Sequence, residues 1–162
     1  MKQIIQLKKN IRDLILFFIA ALILSGGTAF FIETGLSWLV QVFDGTQGPL
    51  FGWLQTTYHA VRDVNQRYPF MAYGYDWLAF SHLVIAVAFI GPLMDPSKNV
   101  WIIQFGQIAC CMIFPLAFIA GHVRQIPLFW QCIDCSFGLI GLVPLTICYH
   151  KIRLLERLQG LQ

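Results

Sequence analysis

Charge is what this chain has least of. Only 12% of its 162 residues are Asp, Glu, Lys or Arg, against about a quarter in an ordinary soluble domain. With 57% hydrophobic residues, the deficit is too large for one water-soluble core and points to a membrane protein. Internal repeats, low-complexity tracts and long linkers are also missing, so a single membrane domain over 1–162 is expected. No stretch alternates with period two, which argues against a β-barrel. There is no phosphate loop, nucleophile elbow, metalloprotease signature or C-x-x-C-H haem attachment motif. Nucleic acid is not expected as a partner.

What is present is long apolar runs. About 20 apolar residues cross the hydrocarbon core as a helix, and segments at about 14–33, 77–94, 100–121 and 128–149 qualify. The backbone must satisfy itself in lipid, so these segments are helices. The expected fold is an all-α integral membrane protein, a four-transmembrane-helix antiparallel bundle. The basic start "MKQIIQLKKNIRD" followed by an apolar run resembles a signal peptide. The uncharged run from Leu14 to Ile32 exceeds a usual signal core, and Phe30 to Ile32 beyond the only small-residue stretch are still apolar. An uncleaved first span is therefore expected.

Eight of the 11 basic residues lie in the N-terminal flank, the 95–99 turn and the C-terminal tail; Arg62, Arg67 and Arg124 lie on the other side. The positive-inside rule then puts both termini in the cytoplasm of a bacterial-type inner (plasma) membrane. Pro96 is expected to end the second helix and Asn99 to cap the third. Gly121 is expected at the third helix's C-terminal cap and Pro127 at the first position of the fourth helix.

The outer connection after the first span is too long for a bare loop. Within it, about 49–68, Leu50, Trp53, Leu54, Thr57, Tyr58, Val61 and Val64 recur at helical spacing. An outer amphipathic interfacial helix is expected there.

Ionisable groups in a bilayer are costly and mark functional sites by default. Glu33 ends the first span, His122 follows the third, His82 is the lone titratable side chain of the second and Asp134 the lone charge of the fourth. Counted along their helices, His82 and Asp134 lie at similar depth, roughly 10 Å from the outer end. The leading expectation is a non-enzymatic protein. It would bind a small amphipathic ligand, lipid or quinone-like, or a partner subunit. His82, Asp134, Glu33 and His122 would hold the polar end, with Trp77 and Trp130 against the apolar part. Gln104, Gln107 and Cys111 form a further stripe, read as glue between helices.

Two alternatives stand beside this reading. "FWQCIDCSFG" resembles, over about ten residues, the outer C-x-x-C of membrane thiol oxidoreductases of the vitamin K epoxide reductase type. That resemblance implies redox chemistry at Cys132 and Cys135. Those enzymes relay electrons through further outer cysteines, and residues 36–76 contain none. The other alternative is a purely structural subunit of a membrane complex or a homo-oligomer. A zinc site lacks paired ligands, and haem lacks two histidines at one depth, so neither is expected.

Overall fold

The computed structural model describes residues 2–160. It is 88% helical, with no strand among the described residues. In chain order the helices are α1 (Lys2–Phe30), α2 (Ile32–Val42), α3 (Pro49–Arg67), α4 (Tyr73–Ala88), α5 (Ile90–Met94), α6 (Val100–Val123) and α7 (Leu128–Gln159), with a 3-10 turn at Pro69–Ala72. Four stretches are long and apolar enough to cross a membrane: Lys2–Phe30, Pro69–Met94, Val100–Val123 and Leu128–Gln159. Three of the expected spans lie wholly within them, the first overshoots because α1 ends at Phe30 and Ile32 and Glu33 already belong to α2, and the chain is a multi-pass helical membrane protein. α1 and α7 run well beyond the apolar windows, because a helix satisfies its own backbone in water as in lipid. Composition marks the hydrocarbon crossing and not the helix ends.

Contacts group the chain into two compact units. One joins the helix up to Ala20 to everything from Ala86 onward; the other runs from Ala21 to Ile85.

In the first unit α6 and α7 are antiparallel neighbours. Gly121 faces Gln131, Cys110 faces Gly138, and Gln107 donates to Thr146 Oγ1 at 3.1 Å. Small residues bring the two helices close: a Cβ at Gly138 would lie 3.0 Å from the Cys110 carbonyl oxygen. Phe18 of α1 reaches Gly141 and packs on Phe89, ring centroids 4.6 Å apart. Ile11 and Ile15 of α1, Ile103 of α6, and Leu145, Cys148, Ile152 and Leu155 of α7 complete a buried core. Their spacing of three or four residues puts each set on one helix face. Outside this core the surface remains apolar, with Met112, Leu116, Ile119 and Val123 exposed along α6, as lipid contact requires.

The links differ from the sequence expectation at Asn99, Gly121 and Pro127. Asn99 does precede α6, but its side chain does not cap that helix. Its Nδ2 donates backwards, to the carbonyls of Gly91 (3.1 Å) and Asp95 (2.9 Å), each of which also accepts a backbone N–H, from Asp95 and Asn99 respectively. The end of α6 is closed by Gln125 and not by Gly121. Gln125 has φ of +56°; its N–H donates to His122 O at 3.2 Å, and the Ile126 N–H donates to Gly121 O at 2.9 Å. This is a Schellman closure with glutamine where glycine is usual. Gly121 serves packing, since a Cβ there would lie 2.6 Å from Gln131 Cδ. Pro127 flanks α7 immediately before its first residue.

The second unit is built on a hairpin of α2 and α3. The intervening turn is tied by Thr46, whose N–H donates to the Phe43 carbonyl at 3.0 Å and whose Oγ1 donates to it at 2.6 Å. α3 covers the segment in which an outer interfacial helix was expected. Leu54 and Val61 are buried on one face, while His59, Arg62, Asp63 and Gln66 are exposed on the other. α2 was not expected. It buries Leu36 and makes the first span's apolar pattern continue past Glu33 into a separate short helix. The end of α1 approaches α4 at Gly26, where a Cβ would lie 2.9 Å from the Ala79 carbonyl oxygen and 3.1 Å from His82 Cβ.

Candidate functional site

Glu33 sits in the first turn of α2, where the helix N-terminus favours a negative charge. Across 32 positions of sequence, Asn65 of α3 donates its Nδ2 to Glu33 Oε2 at 2.7 Å. A carboxylate only accepts hydrogen bonds, so this contact fixes which way the Asn65 amide points. Its Oδ1 is then buried with no donor. Such an orphan acceptor is rare in native proteins.

The pair lines a cavity of about 220 Å³, with Phe31, Ala72, Tyr75 and Asp76 among its walls. A second cavity of about 290 Å³ shares Phe30 and Asp76 with it and is otherwise lined by Tyr73, Trp77 and Phe80. These aromatic rings form a ladder. Tyr73 and Trp77 meet edge to face at 5.9 Å, as do Trp77 and Phe80. The polar part of this place therefore offers acceptors: two carboxylates and an amide oxygen. The adjoining part offers aromatic edges and faces. The arrangement suits a ligand whose head donates hydrogen bonds or carries positive charge, and whose body is apolar.

The other expected site residues are distributed as follows. His82 is half-buried on α4, and its Nδ1 lies 2.8 Å from the Leu78 carbonyl. A carbonyl cannot donate, so Nδ1 carries a proton and Nε2 is left for another partner. Asp134 is half-buried in α7 and has no hydrogen-bond or ion-pair partner among the described residues. His122 is exposed in the last turn of α6, and Trp130 is half-buried at the start of α7. Glu33 and Trp77 thus line two adjoining cavities that share Asp76. His82 belongs to the same unit as these two, whereas Asp134, His122 and Trp130 belong to the other.

Sequence reasoning missed Asn65. The available signal was that Asn65 lies next to the apolar face of α3 (Val61, Val64), close to a carboxylate once α2 and α3 fold back.

All five cysteines are free thiols; Cys132 is exposed, Cys135 is buried, and the buried Cys110 packs against Gly138 and Gly141. Among the described residues no cluster of three His, Cys, Asp or Glu side chains could hold a metal ion. Gln107 does bond across helices, and Thr146 passes the bond on to the Leu142 carbonyl at 2.8 Å. In comparison with known proteins, the chain matches no family model, no curated protein and no solved structure.

Proposed function

We propose that this is a small multi-pass protein of a bacterial-type inner membrane that binds a small amphipathic ligand at its outer-facing polar end. The observation that carries the reading is the unpartnered Asn65 Oδ1 beside Glu33 and Asp76, next to the aromatic wall of Trp77. A buried acceptor without a donor costs about 1–3 kcal/mol, and a bound ammonium or hydroxyl group removes that cost. An amine-bearing lipid head or the hydroxyl groups of a reduced quinone have this chemistry. His82, Asp134, His122 and Trp130 are included in the proposal as outer-leaflet groups on the strength of their sequence depth. α3 is proposed to lie at the outer membrane surface, with both chain termini in the cytoplasm.

The test is native mass spectrometry of the purified full-length protein, with an absorption spectrum. Added phosphatidylethanolamine and a short-chain ubiquinol serve as probes. One of them is expected to bind, and Glu33→Gln combined with Asp76→Asn weakens that binding about tenfold or more, the scale of one charge-assisted hydrogen bond. Binding of neither probe, with a protein partner co-purifying at fixed stoichiometry, would transfer the function to that of a structural subunit.

A further inference from the structure

A separate cavity lies among the basic segments of the first unit. Three segments of the first unit converge there: Lys8 to Ile15 of α1, Pro92 to Lys98 at the end of α5 and its turn, and Leu155 to Gln159 of α7. The cavity measures about 640 Å³, a size ordinary for a small-molecule site. Its floor is apolar, formed by Ile11, Ile15, Pro92 and Leu155, all essentially inaccessible to solvent. The rim is polar and basic, with Lys8, Arg12, Lys98 and Gln159.

The two carboxylates of this cavity already have partners in their own segments. Asp95 accepts from the Lys98 N–H at 3.2 Å and pairs with Lys98 Nζ at 3.3 Å. Those contacts, led by the Lys98 backbone N–H, hold the Asp95 carboxyl below its ordinary range. Glu156, nearly buried, receives Arg153 Nη1 at 3.0 Å. Lys8 has no acidic partner among the described residues. Arg12 has only its neighbour Asp13, at 3.6 Å with both side chains more than half exposed, a pair worth little in water. Lys8 therefore stands without an acidic partner, and Arg12 with only a weak, exposed one, over an apolar floor. Leu93 and the highly exposed Met94 continue that apolar surface outward.

We propose that this cleft seats an anionic phospholipid of the cytoplasmic leaflet. Lys8 and Arg12 take the phosphate oxygens, and Leu93 and Met94 flank the first carbons of the acyl chains. Charge complementarity selects the head, because the cytoplasmic leaflet is the anionic one, and the basic flanks mark this end as cytoplasmic. The exposed Met94 and half-buried Leu93 select a lipid over free phosphate, since a hydrated ion gains nothing from covering them. This site is independent of the outer-facing pocket.

Native mass spectrometry of the full-length protein in detergent, titrated with phosphatidylglycerol, phosphatidylcholine or inorganic phosphate, tests it. Phosphatidylglycerol is expected to bind in preference to phosphatidylcholine. Lys8→Gln with Arg12→Gln is expected to weaken phosphatidylglycerol roughly thirtyfold, the combined effect of two interfacial cations, without altering phosphatidylcholine adducts. Lys9→Gln, which alters an exposed neighbour outside the cleft, is expected to have little effect. An equal loss with Lys9→Gln would reduce the binding to general surface charge and overturn the site. Displacement of phosphatidylglycerol by inorganic phosphate at equal concentration would overturn the lipid assignment. A thermal melt of each variant separates loss of binding from loss of fold.

Discussion

Asn65 carries two opposed roles at once. Its Nδ2 satisfies the Glu33 carboxylate at 2.7 Å, and doing so leaves its own Oδ1 buried without a donor. Hydrogen bonds to a charged partner contribute about 1.5–3 kcal/mol. Asn65→Leu is therefore expected to lower stability by about 1–3 kcal/mol, because Glu33 loses its donor in a half-buried place. Thermal unfolding of the purified protein in detergent measures this. The double-mutant cycle with Glu33→Leu should give a coupling above about 0.5 kcal/mol, as expected for groups in direct contact; strictly additive effects would deny the contact. Glu33 was legible in the sequence because an acid at the end of an apolar run stands out. Asn65 was not, because an asparagine on an otherwise polar stretch acquires meaning only when α3 folds back on α2. Asp134 lies between these cases: its rarity in an apolar helix is plain from sequence, and its lack of a protein partner is not.

The helices themselves were mostly legible, for periodicity reports which face is buried. Leu54 and Val61, both on the expected apolar face of α3, are the residues that helix buries. α2 escaped notice because Glu33, Thr34 and Gly35 interrupt the apolar run at its start, so the span was ended there and the rest of α2 fell into the outer connection. Cap assignments were weaker, since they depend on which of several nearby polar groups reaches a free carbonyl. Asn99 turned back to α5, and Gln125 took the position expected of glycine. The Gln125 conformation carries a testable cost. A left-handed residue with a Cβ is strained, and glycine there is relieved. Gln125 is exposed, so little packing is lost on substitution. Gln125→Gly is expected to stabilise the protein by about 1 kcal/mol and Gln125→Val to destabilise it. A rise in melting temperature for the first and a fall for the second checks this. The opposite order would mean that Gln125 is held by something other than the closure of α6.

At the scale of the whole molecule, the number of spans was legible because the hydrocarbon core sets a length that no soluble helix must meet. The orientation rests on a different physical quantity, the asymmetry of lysine and arginine. The structure adds a reason to count those residues together. Lys8 and Arg12 near the N-terminus, Lys98 in the turn before α6, and Gln159 near the C-terminus line one cavity, so three chain segments far apart in sequence end at one place. That convergence agrees with an even number of spans between α1 and α7, because the first turns of α1 and the last turns of α7 meet the link between the second and third spans. If the positive-inside rule acts on this end, a green fluorescent protein fused after the C-terminal helix will fluoresce, and alkaline phosphatase in the same position will be inactive. Alkaline phosphatase inserted at Gly45, in the exposed turn between α2 and α3, should in contrast be active. Active phosphatase at the C-terminus would reverse the orientation. The proposed outer ligand pocket would then face the cytoplasm, and the basic cleft would be presented to the leaflet poorer in anionic lipid.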